Sequence, residues 1–169
     1  MLLFLVPEER MLGNLIKLVY LHAALMWTGL VILTLGVTIG LLDKQKCKGF
    51  IFVGAWFWIV ATALGALTSK LAWGGMLLEP RVAGSIFIAL AFLGILQLLN
   101  NLSFKMVFSL VTLTTASAWV IVFKSGFFHP ENPIGRAESP EMKYIFLAIS
   151  IILILIAAFF VKNANEARN

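Results

Sequence analysis

The sequence predicts an all-α integral membrane protein, a five-helix transmembrane bundle that forms a single domain over residues 1–169. Hydrophobic residues make up 61% of the chain and charged residues only 12%, about half the charged share of a soluble domain. The mean hydropathy is +0.99. Five stretches of 18 to 25 residues contain no Asp, Glu, Lys or Arg, and about 20 apolar residues in a helix cross a bilayer core. This composition excludes a soluble globule, a disordered chain and a nucleic-acid binder.

Each stretch is a candidate membrane helix, because charged residues flank it and its apolar residues show no two-residue alternation. In chain order, the expected spans are about 18–42, 49–69, 82–104, 106–123 and 144–161. The third and fourth stretches are separated only by Lys105, so a tight turn is expected near Asn100–Lys105. The segment Met1–Val6 lacks the basic residues that begin a signal peptide, and we expect it to lie at the membrane interface.

Five crossings place alternate connections on opposite sides of the membrane. The histidine side holds the N-terminus and the loops 70–81 and 124–143, so it contains both His22 and His129. The lysine side holds residues 43–48, the turn after the third span and the C-terminal tail. Lysines at three alternate positions in 44–48 are typical of a cytoplasmic loop. We therefore expect the N-terminus and both histidines outside and the C-terminus in the cytoplasm.

The residues that could carry chemistry are few. The single cysteine excludes an internal disulfide and a Cys-x-x-Cys-His haem attachment site. Ionisable residues within spans are rare and tend to be functional, which draws attention to His22. Haem iron takes two axial ligands, and neutral imidazole is a favoured one, so His22 and His129 could bind one haem. Phe127 and Phe128 could flank the macrocycle, and Arg81 could pair with a propionate.

Simpler interpretations of these residues stay open. His22 could be a packed polar residue, and Met26, one turn further on, is expected to fill the core. Gly74-Gly75 permits a turn, Glu79-Pro80 suits a helix start, and Arg81 suits a membrane edge. Serine hydrolase and metallohydrolase motifs are absent from the sequence, so nothing supports a hydrolase. A protein that binds and presents haem needs a partner for any covalent chemistry, so we do not expect this chain to be an enzyme.

Three segments resemble the CcmC-type haem-handling proteins of cytochrome c maturation. Val19–Trp27 is similar to that family's histidine-bearing helix start. Trp73–Gly75 with Glu79–Arg81 resembles a degenerate form of its tryptophan-rich WWD motif, one residue shorter and with a single tryptophan. Phe127–His129 resembles the aromatic segment that ends in the family's second histidine. The resemblance extends over roughly Leu15–Val161, although the family usually has six spans.

The resemblance implies a carrier in the plasma (inner) membrane that binds haem b at the outer face of that membrane and presents it to a haem chaperone of the CcmE type. His22 and His129 would be the axial ligands of the iron. The haem-facing loop would contain Trp73, Gly74, Gly75, Glu79 and Arg81. Haem, the chaperone, ABC-transporter subunits of the maturation complex and the lipid bilayer are the expected partners. The alternatives are a cofactor-free structural subunit of a membrane transporter complex and a small b-type cytochrome, which two histidines on one side disfavour.

Overall fold

The fold is a bundle of five helices in a computed structural model that describes Val6 and residues 12–74, 80–98, 101–123 and 140–166. The helices are α1 (Ile16–Gly40), α2 (Lys44–Trp73), α3 (Pro80–Leu98), α4 (Phe104–Phe123) and α5 (Pro140–Glu166). All except α3 are long and apolar enough to cross a membrane, whereas the described apolar part of α3, Val82–Leu98, is shorter. The predicted all-α membrane fold is confirmed.

Helix α2 extends beyond its charge-free stretch at both ends because each end is capped. Asp43 has an extended backbone, and its carboxylate accepts hydrogen bonds from the Gln45 and Lys46 N–H groups at 2.9 and 3.1 Å. The Lys46 N–H is the main reason that the pKa of Asp43 is lowered. At the other end, Gly74 has φ +63° and its N–H donates to the Lys70 carbonyl at 3.1 Å.

The turn between α3 and α4 differs from the prediction. Helix α3 ends at Leu98 and α4 begins at Phe104, so the helical part of the third span is shorter than 82–104. The turn also ends before Lys105. Ser103 provides the reason, because its hydroxyl accepts from the Met106 N–H at 3.5 Å and its carbonyl from the Val107 N–H at 3.1 Å. Because Ser103 is uncharged, it lies within a charge-free stretch, and a prediction based on charged residues does not place a helix start there.

The α1–α2 contact is the most extensive in the bundle, and glycines allow the two backbones to approach closely. A Cβ atom on Gly54 would lie 2.7 Å from Leu33 Cγ and 3.0 Å from the Leu33 nitrogen. A Cβ atom on Gly29 would lie 3.0 Å from the Trp58 nitrogen. Neither position has room for a side chain at the present helix separation.

The other helices are arranged around this pair. Helices α1 to α4 surround a core that includes the fully buried Leu33, Trp58, Phe92 and Val111. Helix α5 packs on the outside of α1 and α2. Its beginning contacts the beginning of α1, where the Tyr20 and Phe146 rings meet edge to face at 6.0 Å. Helix α5 therefore runs parallel to α1, as the alternation of spans requires.

Candidate functional site around His22

His22 faces helix α2 from the first third of α1. It lies six residues after Ile16, roughly 9 Å along the helix axis. Its Nδ1 atom is 2.8 Å from the backbone carbonyl oxygen of Ala61 in α2, and the side chain is half-buried. The histidine therefore connects the two helices at the end of the bundle that the sequence assigns to the histidine side.

Gly65 provides the space for the imidazole. A Cβ atom at this position would lie 2.5 Å from His22 Cε1 and 2.7 Å from His22 Nδ1. Gly65 comes one turn after Ala61, so the carbonyl and the missing side chain face the same part of α1. We call Ala61 and Gly65 together the histidine seat.

The contact with the Ala61 carbonyl indicates which ring nitrogen of His22 carries a proton. A carbonyl oxygen can only accept, so Nδ1 carries the proton and donates it to Ala61. In a neutral imidazole, Nε2 is then the nitrogen with the coordinating lone pair. Histidines that bind metals usually donate their other ring N–H to a carbonyl or carboxylate in this way. The same hydrogen bond also suits a histidine that only joins two helices.

The described part of the predicted haem-facing loop lies at the same end of the bundle as His22 but further along α2. Trp73 is the last residue of α2 and Gly74 is its cap, while Arg81 belongs to the first turn of α3. Eight to twelve residues separate the histidine seat from Trp73, which is roughly 12–18 Å along the axis. A ligand that contacts both places must be of that length.

Part of the predicted site lies outside the described residues. Gly75, Glu79, Phe127, Phe128 and His129 belong to this part, as do the side chains of Trp73 and Arg81. The connection that contains His129 joins the end of α4 to the start of α5. Within the described residues, no group of three His, Cys, Asp or Glu side chains could hold a metal ion. His22 is the predicted ligand for which the structure gives a geometry.

Three residues close to His22 in the sequence or next to the seat, Met26, Trp27 and Thr62, have different surroundings. Met26 packs against the main hydrophobic core, as its filling role predicts. Trp27 stands at the lipid-facing surface in edge contact with Trp119 of α4, and the Trp119 indole N–H donates to Thr34 at 3.0 Å. Thr62, next to Ala61, is buried, and its hydroxyl has no hydrogen-bond partner among the described residues. A buried hydroxyl of this kind is uncommon.

The histidine seat is not among the features predicted from the sequence. The sequence feature that could have predicted it is the pair Ala61 and Gly65, two small residues four positions apart on an apolar helix. Comparison with protein-family models, with curated proteins and with solved structures found no match for this chain.

Proposed function

We propose that this protein is a haem-handling membrane protein that binds haem at its histidine side and presents it to a haem chaperone. The observation that supports this most is the histidine seat. The Ala61 carbonyl holds the proton on His22 Nδ1, and Gly65 leaves space for the ring, so the imidazole has the orientation and tautomer of a ligand. A haem carrier needs such a fixed ligand on a rigid element.

In this proposal haem is the cargo, and the chain's own residues hold and orient it. His22 and His129 would be the two axial ligands, and Arg81 would pair with a propionate. Trp73, Gly74, Gly75 and Glu79 would form the haem-facing loop. The bound haem supplies an iron centre with two axial positions, and the protein contributes no covalent chemistry.

The two proposed ligands lie on separate elements of the chain, which suits a carrier. His22 lies on α1 and is held by α2, whereas His129 belongs to the connection between α4 and α5. Ligands on separate elements can be released one at a time, so the protein can hold haem through one while a chaperone takes the other position. We propose the outer face of the plasma membrane as the site, with a chaperone of the CcmE type and ABC-transporter subunits as partners.

A haem titration of the detergent-purified full chain tests the proposed function. We expect a Soret band that saturates at about one haem per chain, with sharp α and β bands after reduction, as two imidazole ligands give. Haem in empty micelles of the same detergent is the control. A titration that cannot be distinguished from the micelle control would overturn the proposal.

A cofactor-free structural subunit is the second candidate function, and the same seat favours it. In this case the His22–Ala61 hydrogen bond serves only to join α1 to α2. A purified chain that binds no haem and is stable only with partner subunits would be the expected observation. The two candidate functions predict different effects of a substitution at Gly65 on haem affinity.

Replacing Gly65 by alanine is expected to weaken haem binding by about tenfold or more. The new methyl group would occupy the position of the imidazole edge, so His22 would lose its Ala61 hydrogen bond and its orientation. Loss of such a supporting contact typically costs 10- to 100-fold in metal affinity. The measurement is the haem dissociation constant from the Soret titration.

Gly94→Ala is the matched control for Gly65→Ala. Gly94 lies within α3, and a Cβ atom there meets nothing within 4 Å. We expect Gly94→Ala to leave the haem dissociation constant unchanged. If Gly65→Ala lowers thermal stability but leaves haem affinity as in Gly94→Ala, the structural candidate is supported instead.

A further inference from the structure

The start of helix α5 packs against residues that precede α1 in the chain. Val6 is only 2% exposed, although it lies ten positions before Ile16, the first residue of α1. It belongs to a small apolar cluster on the histidine side, separate from the main core. The members of this cluster come from the N-terminal residues (Val6, Leu12), from α1 (Ile16, Val19, Tyr20) and from α5 (Met142, Ile145, Phe146). The N-terminal residues thus cover the place where α5 begins to pack on α1.

A turn at Gly13 joins Leu12 to the start of α1. Gly13 has φ +52°, a left-handed conformation that favours glycine. The Leu15 N–H donates to the Leu12 carbonyl at 3.0 Å, within the same turn. A Cβ atom on Gly13 would meet nothing within 4 Å, so a substitution there disturbs the backbone of the turn alone. We call Val6, Leu12 and Gly13 together the N-terminal clasp.

The lysine-side half of α5 is attached to the bundle by contacts of its own. Ala157 and Val161 are buried in a cluster with residues of α1 and α2. Near the end of α5, the Asn165 side chain accepts a hydrogen bond from the Gly49 N–H at 3.1 Å. Of the four helices long enough to span a membrane, α5 has the smallest buried share, 17% of its apolar window. The start of α5 can therefore leave α1 while the other half of the helix stays in place.

The closed arrangement of the clasp has a cost at Tyr20. This side chain is fully buried, and its ring meets the Phe146 ring edge to face at 6.0 Å. Its phenolic O–H has no hydrogen-bond partner among the described residues. A buried hydroxyl without a partner loses the hydrogen bonds that it would form with water. Burial of Val6 and Leu12 favours the closed arrangement, but the hydroxyl opposes it, so the closed arrangement is less favoured than its apolar contacts alone would make it.

We propose that the N-terminal clasp is a conformational device with a closed and an open arrangement. Closed, it holds the start of α5 against α1. Open, it releases that start and gives the Tyr20 hydroxyl access to water. Opening also exposes the faces of α1 and α5 that the cluster covers, so the histidine side has a surface that is available in only one arrangement. This device is independent of the proposed haem binding and can be tested without haem.

The rate of maleimide labelling at position 142 tests this proposal on the full chain in detergent. All variants carry Cys47→Ser, so that the introduced cysteine is the only one in the chain. Met142→Cys reports on the cluster, whereas Tyr144→Cys replaces a side chain that is 71% exposed on the same turn of α5 and gives the reference rate. We expect Val6→Asp to raise the rate at position 142 at least about tenfold relative to position 144, because burying a charge in an apolar cluster is unfavourable.

Tyr20→Phe is expected to have the opposite effect. It removes the unpaired hydroxyl and keeps the ring, so the closed arrangement becomes more favoured and labelling at position 142 should become about fivefold slower. Asn14→Asp is the matched control for Val6→Asp. It introduces the same charge close by, at an exposed residue outside the cluster, and should leave the rate unchanged.

Labelling at the wild-type rate in Val6→Asp would overturn the proposal. So would a rate in Tyr20→Phe that equals or exceeds the wild-type rate. If Val6→Asp does not fold, as judged by circular dichroism, Gly13→Val takes its place. It strains only the turn that joins the clasp to α1 and should also raise the rate at position 142.

Discussion

His22→Ala is expected to lower haem affinity by at least about 100-fold, because it removes an axial ligand and not merely a supporting contact, whose loss costs 10- to 100-fold. The Soret and reduced α and β bands of the titrated protein should weaken accordingly. His129→Ala should have the same effect if the two histidines bind one iron. Loss of the bands in only one of the two variants would mean that another residue is the second ligand.

His22→Asn separates ligation from helix packing. The asparagine amide nitrogen can replace Nδ1 as the donor to the Ala61 carbonyl, but the side chain offers no imidazole lone pair. We therefore expect the thermal unfolding temperature to stay near that of the wild type while the haem bands are lost. Haem binding that survives in His22→Asn would contradict the assignment of His22 as a ligand.

Gly54→Leu is expected to cause the largest loss of stability, about 3 kcal/mol, which corresponds to a fall of roughly 6–12 °C in Tm. The reason is the position of Leu33, whose backbone nitrogen and Cγ atom are 3.0 and 2.7 Å from the site of a new Cβ atom. The two helices would have to separate along their main interface. Thermal unfolding in detergent, followed by circular dichroism, measures the change.

Gly94→Leu is the control for Gly54→Leu. It adds the same side chain at a glycine within α3 that has open space around it. Its unfolding temperature should remain within a few degrees of the wild type. A similar loss in both variants would show that the close approach of α1 and α2 is not what limits stability.

The number and order of the helices could be predicted because a bilayer requires long apolar stretches with charged residues between them. Their ends could not. Asp43 and Gly74 extend α2 into the charged edges, and Ser103 starts α4 within a segment that carries no charge. Caps depend on hydrogen bonds between neighbouring backbone and side-chain atoms, which a search for charged residues does not detect.

The candidate site was predictable only at the level of residue type. A histidine within a span is conspicuous in a chain with two histidines, so His22 could be singled out. Its partner is a backbone carbonyl, which every residue has, and its space comes from a missing side chain at Gly65. Neither leaves a chemical signature in the sequence, because both follow from how two helices approach each other.

The close α1–α2 pair has a consequence for how the protein is made. Three residues connect these helices, Asp43 caps the second one, and their contacts join positions that are near in sequence. Contacts of low sequence separation form early, because little chain entropy must be lost to close them. The first two helices can therefore pair as a hairpin while ribosomes are still synthesising the rest. The histidine seat, and the surface of α2 on which α5 later packs, would then exist before the last helix enters the membrane.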